Sequence, residues 1–392
     1  MKKSKPTAAG FGLGKIMPIA MTIASLSLGC HKTPPIDDKD LRDFKVVNLV
    51  ANKAEYHPRY IDPTLINAFG MAWEPGGLVF VNSVGGHVNV AYTSDGERLG
   101  DIKIPSPKYP VGGLPCGVVA NSIPDFFIPG GPAPASFIFS GFDGVLSAWL
   151  VGDNAQRIKS TAGGSYTGLT LASIKGHGYL YAANFGQKKI DVWDGDFHKV
   201  DMPFKDPTIP YGYSPYNIQA VGDYLFVMYA QLATSADPDP GHGVAGPGKG
   251  FVNVFSTDGK LISRFASRGT LNVPWGVTAA PASFLENKDL SGGEGGHGGY
   301  VSKSTGAGSQ NGHDPKDSVI LIGNFGDGHI NVFKEDGHFL GQLRSHDRVL
   351  EIEGLWALSF PPATADLDPG KLYFTAGPDK EADGVLGYLK KF

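Results

Sequence analysis

Short apolar runs alternate with turn residues along most of the chain, and residues 318–344 show this pattern most completely. An apolar run over residues 319–323 ends at the triplet Asn324-Phe325-Gly326, and residues 329–333 then alternate between two faces. Residues 339–343 follow an Asp-Gly pair, which favours a tight hairpin because glycine tolerates a positive φ. The pattern predicts three β-strands joined by short turns.

The same unit recurs along the chain. The triplet Asn184-Phe185-Gly186 leads into an alternating run at 189–193, residues 78–82 lead into a run at 87–90, and a further run at 251–255 precedes an Asp-Gly turn. Repetition at about 40–50 residues of a unit made only of strands is typical of a β-propeller.

We therefore predict an all-β fold, a six-bladed β-propeller over residues 44–392. Residues 44–50 form a strand that belongs to no complete unit, and the last unit lacks an outer strand. A propeller commonly closes its ring by letting a terminal strand complete the last blade. We expect the N-terminal strand to complete the C-terminal blade in this way.

Each predicted inner strand carries a glycine or another small residue beside an aromatic one. Glycine lets neighbouring inner strands approach each other around the channel, and we expect the aromatic residues to fill the space between neighbouring blades. The glycines in this position are Gly70, Gly117, Gly168 and Gly276, and we align Asn217 and Trp356 with them in the remaining two blades.

Composition narrows the possible partners and chemistry. The 392 residues carry a net charge of -4, so there is no basic surface of the kind that binds nucleic acid. The two cysteines, Cys30 and Cys116, are too few for a disulfide framework or a thiolate zinc site. We interpret Cys116 as a small buried apolar residue.

The N-terminus has the features of a bacterial export signal. Residues 1–29 begin with several lysines, and the apolar run 16–28 is short for a membrane span. The sequence Ser27-Leu28-Gly29-Cys30 resembles the lipobox of bacterial lipoproteins, which implies lipidation of Cys30 and an outer-membrane lipoprotein that faces the periplasm or the cell surface. A plain secretory signal is the alternative. Residues 30–43 are polar and contain prolines, which predicts a flexible tether.

Two long insertions interrupt the predicted blades. Residues 233–249 fall between the second and third strands of blade four, and the glycine-rich residues 287–316 fall between the first and second strands of blade five. If the four strands of a blade are called a to d from the axis outwards, b-to-c and d-to-a connections share one face and a-to-b connections share the other. We therefore expect the insertions to project from opposite faces.

The face formed by the b-to-c and d-to-a connections surrounds the channel mouth, where propeller ligands usually bind. Polar side chains converge there, and oxygen and imidazole groups of this kind suit a divalent cation such as Ca²⁺ or Zn²⁺. The ligand candidates are Asn82, His87, Asn184, Asn324, His329, His346 and Glu353. The metal candidates among them are Asn184, Asn324, His329 and Glu353. The same connections also carry Asp143, His242, Asp327, Asp347, Asp379, Glu381 and Asp383.

A purely structural role is the alternative for several of these residues. Asn82, Asn184 and Asn324 occupy the same repeat position, where asparagine commonly satisfies turn backbone. His87 and His329 also share a repeat position that other blades fill with lysine or phenylalanine, which favours packing over ligation.

The repeat phrases resemble NHL-type propeller repeats, and the chain after the tether resembles a family of uncharacterised exported bacterial propellers. The resemblance implies a six-bladed fold and no particular activity. Two functions remain open. The first is an envelope-anchored scaffold that binds a protein, glycan or small molecule, with Tyr211, Tyr213 and Tyr216 as a candidate patch. The second is a metal-dependent hydrolase or lyase, similar to gluconolactonases or NHL-type lyases, that acts at the channel mouth.

Overall fold

The computed structural model describes residue 1 and residues 36–237, 242–281, 284–285 and 318–392. Residues 2–29 of the predicted signal sequence, Cys30 and the whole insertion 287–316 lie outside the described residues, as do residues 238–241 of the other insertion. The residues from Ile36 onwards belong to one compact unit.

The described residues form six antiparallel sheets of at least four strands, which confirms the prediction of a six-bladed β-propeller. The innermost a strands are β3 (Ala68–Trp73), β7 (Pro115–Ala120), β11 (Tyr166–Ile174), β15 (Tyr213–Val221), β19 (Pro274–Pro281) and β25 (Leu355–Ser359). The b strands are β4 (Val79–Ser83), β8 (Phe137–Gly141), β12 (His177–Asn184), β16 (Tyr224–Gln231), β20 (Ser318–Asn324) and β26 (Leu372–Ala376).

The outer half of each blade follows the same order. The c strands are β5 (Val88–Tyr92), β9 (Val145–Trp149), β13 (Lys189–Asp194), β17 (Phe251–Ser256), β21 (Ile330–Phe333) and β27 (Val385–Lys391). The d strands are β6 (Arg98–Lys103), β10 (Gln156–Ser160), β14 (Lys199–Val200), β18 (Leu261–Ser267), β22 (Phe339–Gln342) and β1 (Phe44–Ala51). The a strands contact one another in sequence, and β25 contacts β3, so the ring is closed.

The last blade is completed by the first strand, as predicted. Strand β1 pairs antiparallel with β27, from Phe44 opposite Lys391 to Ala51 opposite Val385. Two short elements extend this blade: a 3-10 helix at Ala54–Tyr56 and strand β2 (Tyr60–Ile61), which pairs parallel with β1. A small hairpin of β23 (Arg344–Ser345) and β24 (Arg348–Val349) lies between blades five and six. Nothing in the sequence pattern had predicted the helix, β2 or the hairpin.

The segment before β1 contacts the ring in the part that is described. Leu41 is buried and packs near the outer strand of blade five, where its side chain approaches Gly341. The Leu41 carbonyl accepts a hydrogen bond from the backbone N–H of Arg344 at 2.8 Å. The ordered contacts of the ring therefore begin within the region 30–43 that we expected to be a tether.

The hydrophobic core is divided by the ring geometry. Six apolar clusters of described residues lie between adjacent blades, and a seventh occupies the ring axis. This division follows from the architecture, since each sheet buries both faces against its two neighbours. Across the part of the chain that the structure describes, no helix is long and apolar enough to span a membrane.

Glycine in the a strands allows close approach, as predicted. A Cβ atom on Gly70 would lie 2.1 Å from the carbonyl oxygen of Cys116, and one on Gly276 would lie 2.6 Å from that of Trp356. Because each of these oxygens belongs to the backbone of the neighbouring inner strand, neither clash can be relieved by a change of rotamer.

A pair of glycine substitutions tests this packing. We expect Gly70→Ala to lower the free energy of unfolding by about 2 kcal/mol or more, because the ring must expand to admit the methyl group. Gly100→Ala on β6 is the matched control, since nothing lies within 4 Å of its Cβ position, and its effect should stay within about 0.5 kcal/mol. Urea denaturation of both variants measures the difference, and equal effects would contradict the close approach of the inner strands.

Candidate functional site

Every a strand contains a β-bulge at its mouth end. The register with strand b shifts between Pro115 and Gly117 in blade two, and the equivalent shift occurs in the other five blades. A bulge leaves a residue out of the ladder and re-aims its side chain. The residues left out of the register are Phe69 with Gly70, Cys116, Thr167, Tyr216, Trp275, and Trp356 with Ala357.

The bulged aromatic side chains meet on the ring axis. Phe69 of blade one contacts Trp275 of blade five, with ring centroids 5.2 Å apart, and Tyr216 of blade four contacts Trp356 of blade six at 6.1 Å. These blades are not neighbours, so their side chains can meet only across the axis. The expectation that the aromatic residues fill the space between neighbouring blades was therefore wrong. We call Phe69, Cys116, Tyr216, Trp275 and Trp356 the axial plug.

The alignment of Trp356 with the a-strand glycines was also wrong. A Cβ atom on Gly276 meets the carbonyl oxygen of Trp356, just as one on Gly70 meets that of Cys116. Trp356 is therefore equivalent to Phe69, Cys116 and Trp275, the residues that come one position before the a-strand glycines. The residue of blade six that aligns with the glycines is the one after Trp356. The bulge causes the error, because it breaks the alternation on which the alignment rested.

The channel below the plug is narrow. A cavity of about 30 Å³ lies among the glycines and Gln219 of the a strands, which is room for one or two water molecules. The plug therefore fills the ring axis near the mouth, and the described residues of the a strands leave only this small cavity below it.

A second apolar layer covers the plug. The b-to-c turns carry Phe325, which stacks on Trp356 with centroids 4.0 Å apart, and Phe142, which meets Phe69 edge-on at 5.4 Å. The phenylalanine of the repeated Asn-Phe-Gly triplet is thus the residue that covers the plug, a signal that the sequence contained but that we did not use. Four partly exposed side chains of this layer form what we call the mouth ring: Leu114, Phe142, Leu232 and Phe325.

A hydrogen-bonded chain rises from the plug to the mouth. The buried indole N–H of Trp356 donates to Asn67 Oδ1 at 2.9 Å, and Asn67 Nδ2 donates to Glu381 Oε2 at 2.7 Å. Glu381 Oε1 lies 3.8 Å from Nδ1 of His242. His242 comes from blade four, yet it also contacts the ring of Phe142 on blade two at 6.1 Å. Since residues of blades two, four and six converge here, the Glu381–His242 pair lies near the ring axis.

The turn that carries Glu381 has an unusual backbone. Asp379, Lys380 and Glu381 have φ values of 52°, 55° and 71°, so three consecutive residues other than glycine adopt the left-handed region. Such residues normally occur singly because each is sterically unfavourable. Strain of this kind persists only where the surroundings impose it, and it is concentrated at functional sites. One support is visible: Glu353 accepts a hydrogen bond from the Asp379 N–H at 3.0 Å.

Burial raises the pKa of two further titratable groups on this side of the ring, Cys116 and Asp143. Burial raises the pKa of the Cys116 thiol, and the nearby carboxylates of Asp143 and Glu381 raise it further. Cys116 is therefore a neutral packing residue, as predicted, and not a thiolate. Burial also raises the pKa of Asp143, whose buried Oδ2 has no hydrogen-bond partner in the protein.

The predicted asparagine candidates are held within their own blades. Asn184 is fully buried; its Oδ1 accepts the N–H groups of Ser165 and Gln187, and its Nδ2 donates to Asp191. Asn82 Oδ1 accepts a hydrogen bond from Asn89 at 2.8 Å, as part of a buried pair. These contacts match the alternative of a structural role, in which the asparagine side chains form hydrogen bonds to turn backbone and to buried side chains of the same blade.

Asn324 and His329 share the b-to-c turn of blade five. Asn324 donates to the Thr270 carbonyl and to Asp327, and His329 Nδ1 lies 3.7 Å from Asp327 Oδ2. The Ile352 N–H donates to the Gly328 carbonyl, so the connection that carries Glu353 runs beside this turn.

The remaining histidines lie elsewhere. His87 is exposed and its Nδ1 lies 2.9 Å from the Gly113 carbonyl oxygen. His346 lies in the β23–β24 hairpin, with its ring 5.4 Å from that of Phe392, which follows the end of β27 opposite the mouth. The structure thus separates His346 from the other candidates.

The structure does not gather the four metal candidates into one cluster with further ligands. Among the described residues, no three His, Cys, Asp or Glu side chains are grouped so that they could hold a metal ion. The tyrosines proposed as a patch are also separated: Tyr211 is 99% exposed, whereas Tyr216 is buried in the plug. Sequence reasoning placed His242 and Glu381 on the correct face but did not pair them.

Comparison with known proteins adds relatives without a described activity. No protein-family model matches the chain. It is 34% identical over 233 residues to the uncharacterized protein L690 of Acanthamoeba polyphaga mimivirus, a match that covers 58% of this chain and 51% of L690. It is 32% identical over 219 residues to the uncharacterized protein R648 of the same virus, covering 54% of this chain and 46% of R648. The chain spans about half the length of the curated relatives it matches.

Solved structures with a similar arrangement include two kinds of enzyme. A streptogramin B lyase has a TM-score of 0.48 at 12% identity, covering 89% of this chain and 97% of the lyase. The gluconolactonase XC5397 from Xanthomonas campestris has a TM-score of 0.45 at 14% identity, covering 83% of this chain and 86% of that protein. Fold does not determine function, so these similarities assign no activity to this chain.

Substitutions at Trp356 test whether the plug and the mouth are connected. We expect Trp356→Phe to lower the free energy of unfolding by about 1–3 kcal/mol, because the ring stack survives but the buried Asn67 Oδ1 loses its donor. Trp149→Phe is the control, since its indole N–H donates to the exposed carbonyl of Gly152, and we expect it to cost less than about 1 kcal/mol. If urea denaturation shows the same loss in the free energy of unfolding for both variants, the hydrogen bond from Trp356 to Asn67 does not stabilise the plug.

Proposed function

We propose that this protein is a binding propeller whose ligand sits on the mouth ring, above the axial plug. The observation that carries the proposal is the plug itself. Because the plug fills the axis, we expect a ligand that approaches from this side to bind on the face above it. There it meets a partly exposed apolar ring around one polar pair, Glu381 and His242. This arrangement suits a ligand with an apolar surface and a hydrogen-bond donor for Glu381.

The polar centre is rigid before a ligand arrives. Glu381 Oε2 is held by Asn67, and Asn67 is held in turn by Trp356 of the plug. A group fixed in this way loses little conformational entropy on binding, which favours affinity and specificity. The left-handed turn at 379–381 fits the same view, since its strained backbone directs the Glu381 carboxylate toward the axis.

A second candidate function is an acid–base hydrolase or lyase. The observation that favours it is the distance of 3.8 Å between Glu381 Oε1 and His242 Nδ1. A carboxylate beside an imidazole can orient the ring, so that His242 would take a proton from a bound substrate. The cation-dependent version, similar to gluconolactonases or NHL-type lyases, is less favoured because no three of the usual anionic or imidazole ligands are grouped in the described residues.

One screen tests both candidates. A library of small molecules and oligosaccharides is examined by ligand-observed NMR for binding, and lactones and esters are followed by NMR for turnover. We expect Glu381→Gln to weaken the hits by about tenfold or more, because a charged hydrogen-bond acceptor is lost. His346→Ala, remote from the mouth, is the control and should change nothing. If the ligands found in the screen bind the Glu381→Gln variant as tightly as the wild type, the ligand binds elsewhere. Turnover that is lost when His242 is substituted would favour the hydrolase or lyase function.

We further propose that the chain carries NHL-type repeats and belongs with the exported bacterial propellers that it resembles. On this proposal the sequence up to Gly29 is removed in the bacterial envelope and Cys30 receives a lipid, which anchors the ring at the outer membrane. The support is the order of a basic start, an apolar run and a small residue before cysteine.

Metabolic labelling tests the anchor. When the full-length protein is expressed in a bacterium that is fed an alkyne fatty acid, we expect the protein to be labelled and recovered with membranes. Cys30→Ser should abolish both, whereas Cys116→Ser leaves labelling unchanged because Cys116 is buried in the plug. An unlabelled wild-type protein, secreted in soluble form, would support the plain secretory signal instead.

A further inference from the structure

A groove separate from the mouth ring lies between blades five and six. One wall is the connection that carries Glu351 and Glu353, and the other is the sheet of blade six, with Phe374 and Val385. Its volume of about 260 Å³ falls just below the range of about 300–1,000 Å³ typical of ligand pockets. The size admits a small molecule, and none of the residues that form the mouth ring lines the groove.

The groove combines an apolar floor with an acidic rim. Phe374 and Val385 are buried, and Val46 of β1 is partly buried beside them. Glu351 and Glu353 are both exposed at the rim. Carboxylates accept hydrogen bonds and attract positive charge, whereas the floor favours hydrocarbon. We propose that this groove binds a small organic ammonium ion with an apolar body.

Lys53 does not neutralise the rim. Its Nζ already lies 2.9 Å from the buried carboxylate of Asp383, 3.6 Å from Glu55 and 4.0 Å from Asp379. Its charge is thus shared among three other carboxylates. Glu353 is held in place by the Asp379 N–H, which leaves its second oxygen for a ligand.

The same surroundings select an organic cation over a metal ion. No three carboxylate, imidazole or thiolate side chains of the described residues are grouped to hold a metal. The apolar side chains of the floor provide no ligand atoms for a hydrated metal ion. Tyr56 lines the groove, but its hydroxyl donates to Asp383 at 2.6 Å. What remains for the ligand is an aromatic ring, which attracts ammonium groups through its π face. This inference does not depend on the mouth-face proposal.

The test uses benzylamine and its neutral analogue benzyl alcohol with the full-length protein in detergent. We expect benzylamine to bind saturably in NMR titration, with nuclear Overhauser contacts from its ring to the methyl groups of Val46 and Val385. Benzyl alcohol, which lacks the charge, should bind at least about tenfold more weakly. If the amine gives no saturable shift, or no contact to these methyl groups, the proposal fails.

Variants separate the rim from the general negative charge of the protein. The double variant Glu351→Gln, Glu353→Gln should weaken benzylamine binding at least about tenfold, because both carboxylates are replaced by neutral amides of the same shape. Glu97→Gln, an exposed glutamate at the turn before β6, removes one charge far from the groove and should have no effect. Equal affinity for the double variant and the wild type would overturn the proposal.

Discussion

The packing of side chains on the ring axis is the constraint on which the rest of the structure depends. Six inner strands converge there, and the space between them must be neither crowded nor empty. The glycines at positions such as Gly70 and Gly276 let the backbones come together, and the bulged residues next to them fill the centre. A close ring and a filled axis therefore arise at the same position of the inner strand: every blade has the bulge, and in four of the six blades glycine follows the axial residue.

The repetition of the bulge explains how a filled ring axis can still present a polar group above an apolar floor. Each bulge turns one residue toward the axis, and the aromatic ones stack into a floor. A polar group placed on that floor is partly removed from water and has a fixed partner below it, as Glu381 has through Asn67 and Trp356. The electrostatic interactions of such a group are stronger than on open surface. The plug is thus both the core of the ring and the base of the mouth.

Much of the fold could be predicted from the sequence because it depends on local alternation. The strands around Asn324 and Ile330, and the pairing of the Phe44 strand with the last blade, follow from apolar periodicity and from counting strands. The plug could not be predicted in the same way. A bulge adds one residue without changing composition, so the alternation gives no sign that Trp356 faces the axis. The Glu381–His242 pair was missed for another reason: the two residues come from blades that are not neighbours, and only the closed ring brings them together.

Hydrogen exchange of the tryptophan indole N–H groups tests the sealed axis most directly. The indoles of Trp275 and Trp356 donate to Thr167 and Asn67 inside the ring, whereas that of Trp149 donates to an exposed carbonyl. With each signal assigned by Trp→Phe substitution, we expect the two axial indoles to exchange only through global unfolding, and Trp149 to exchange through local opening. If Trp275 and Trp356 exchange as fast as Trp149, water reaches the axis freely and the sealed plug does not exist.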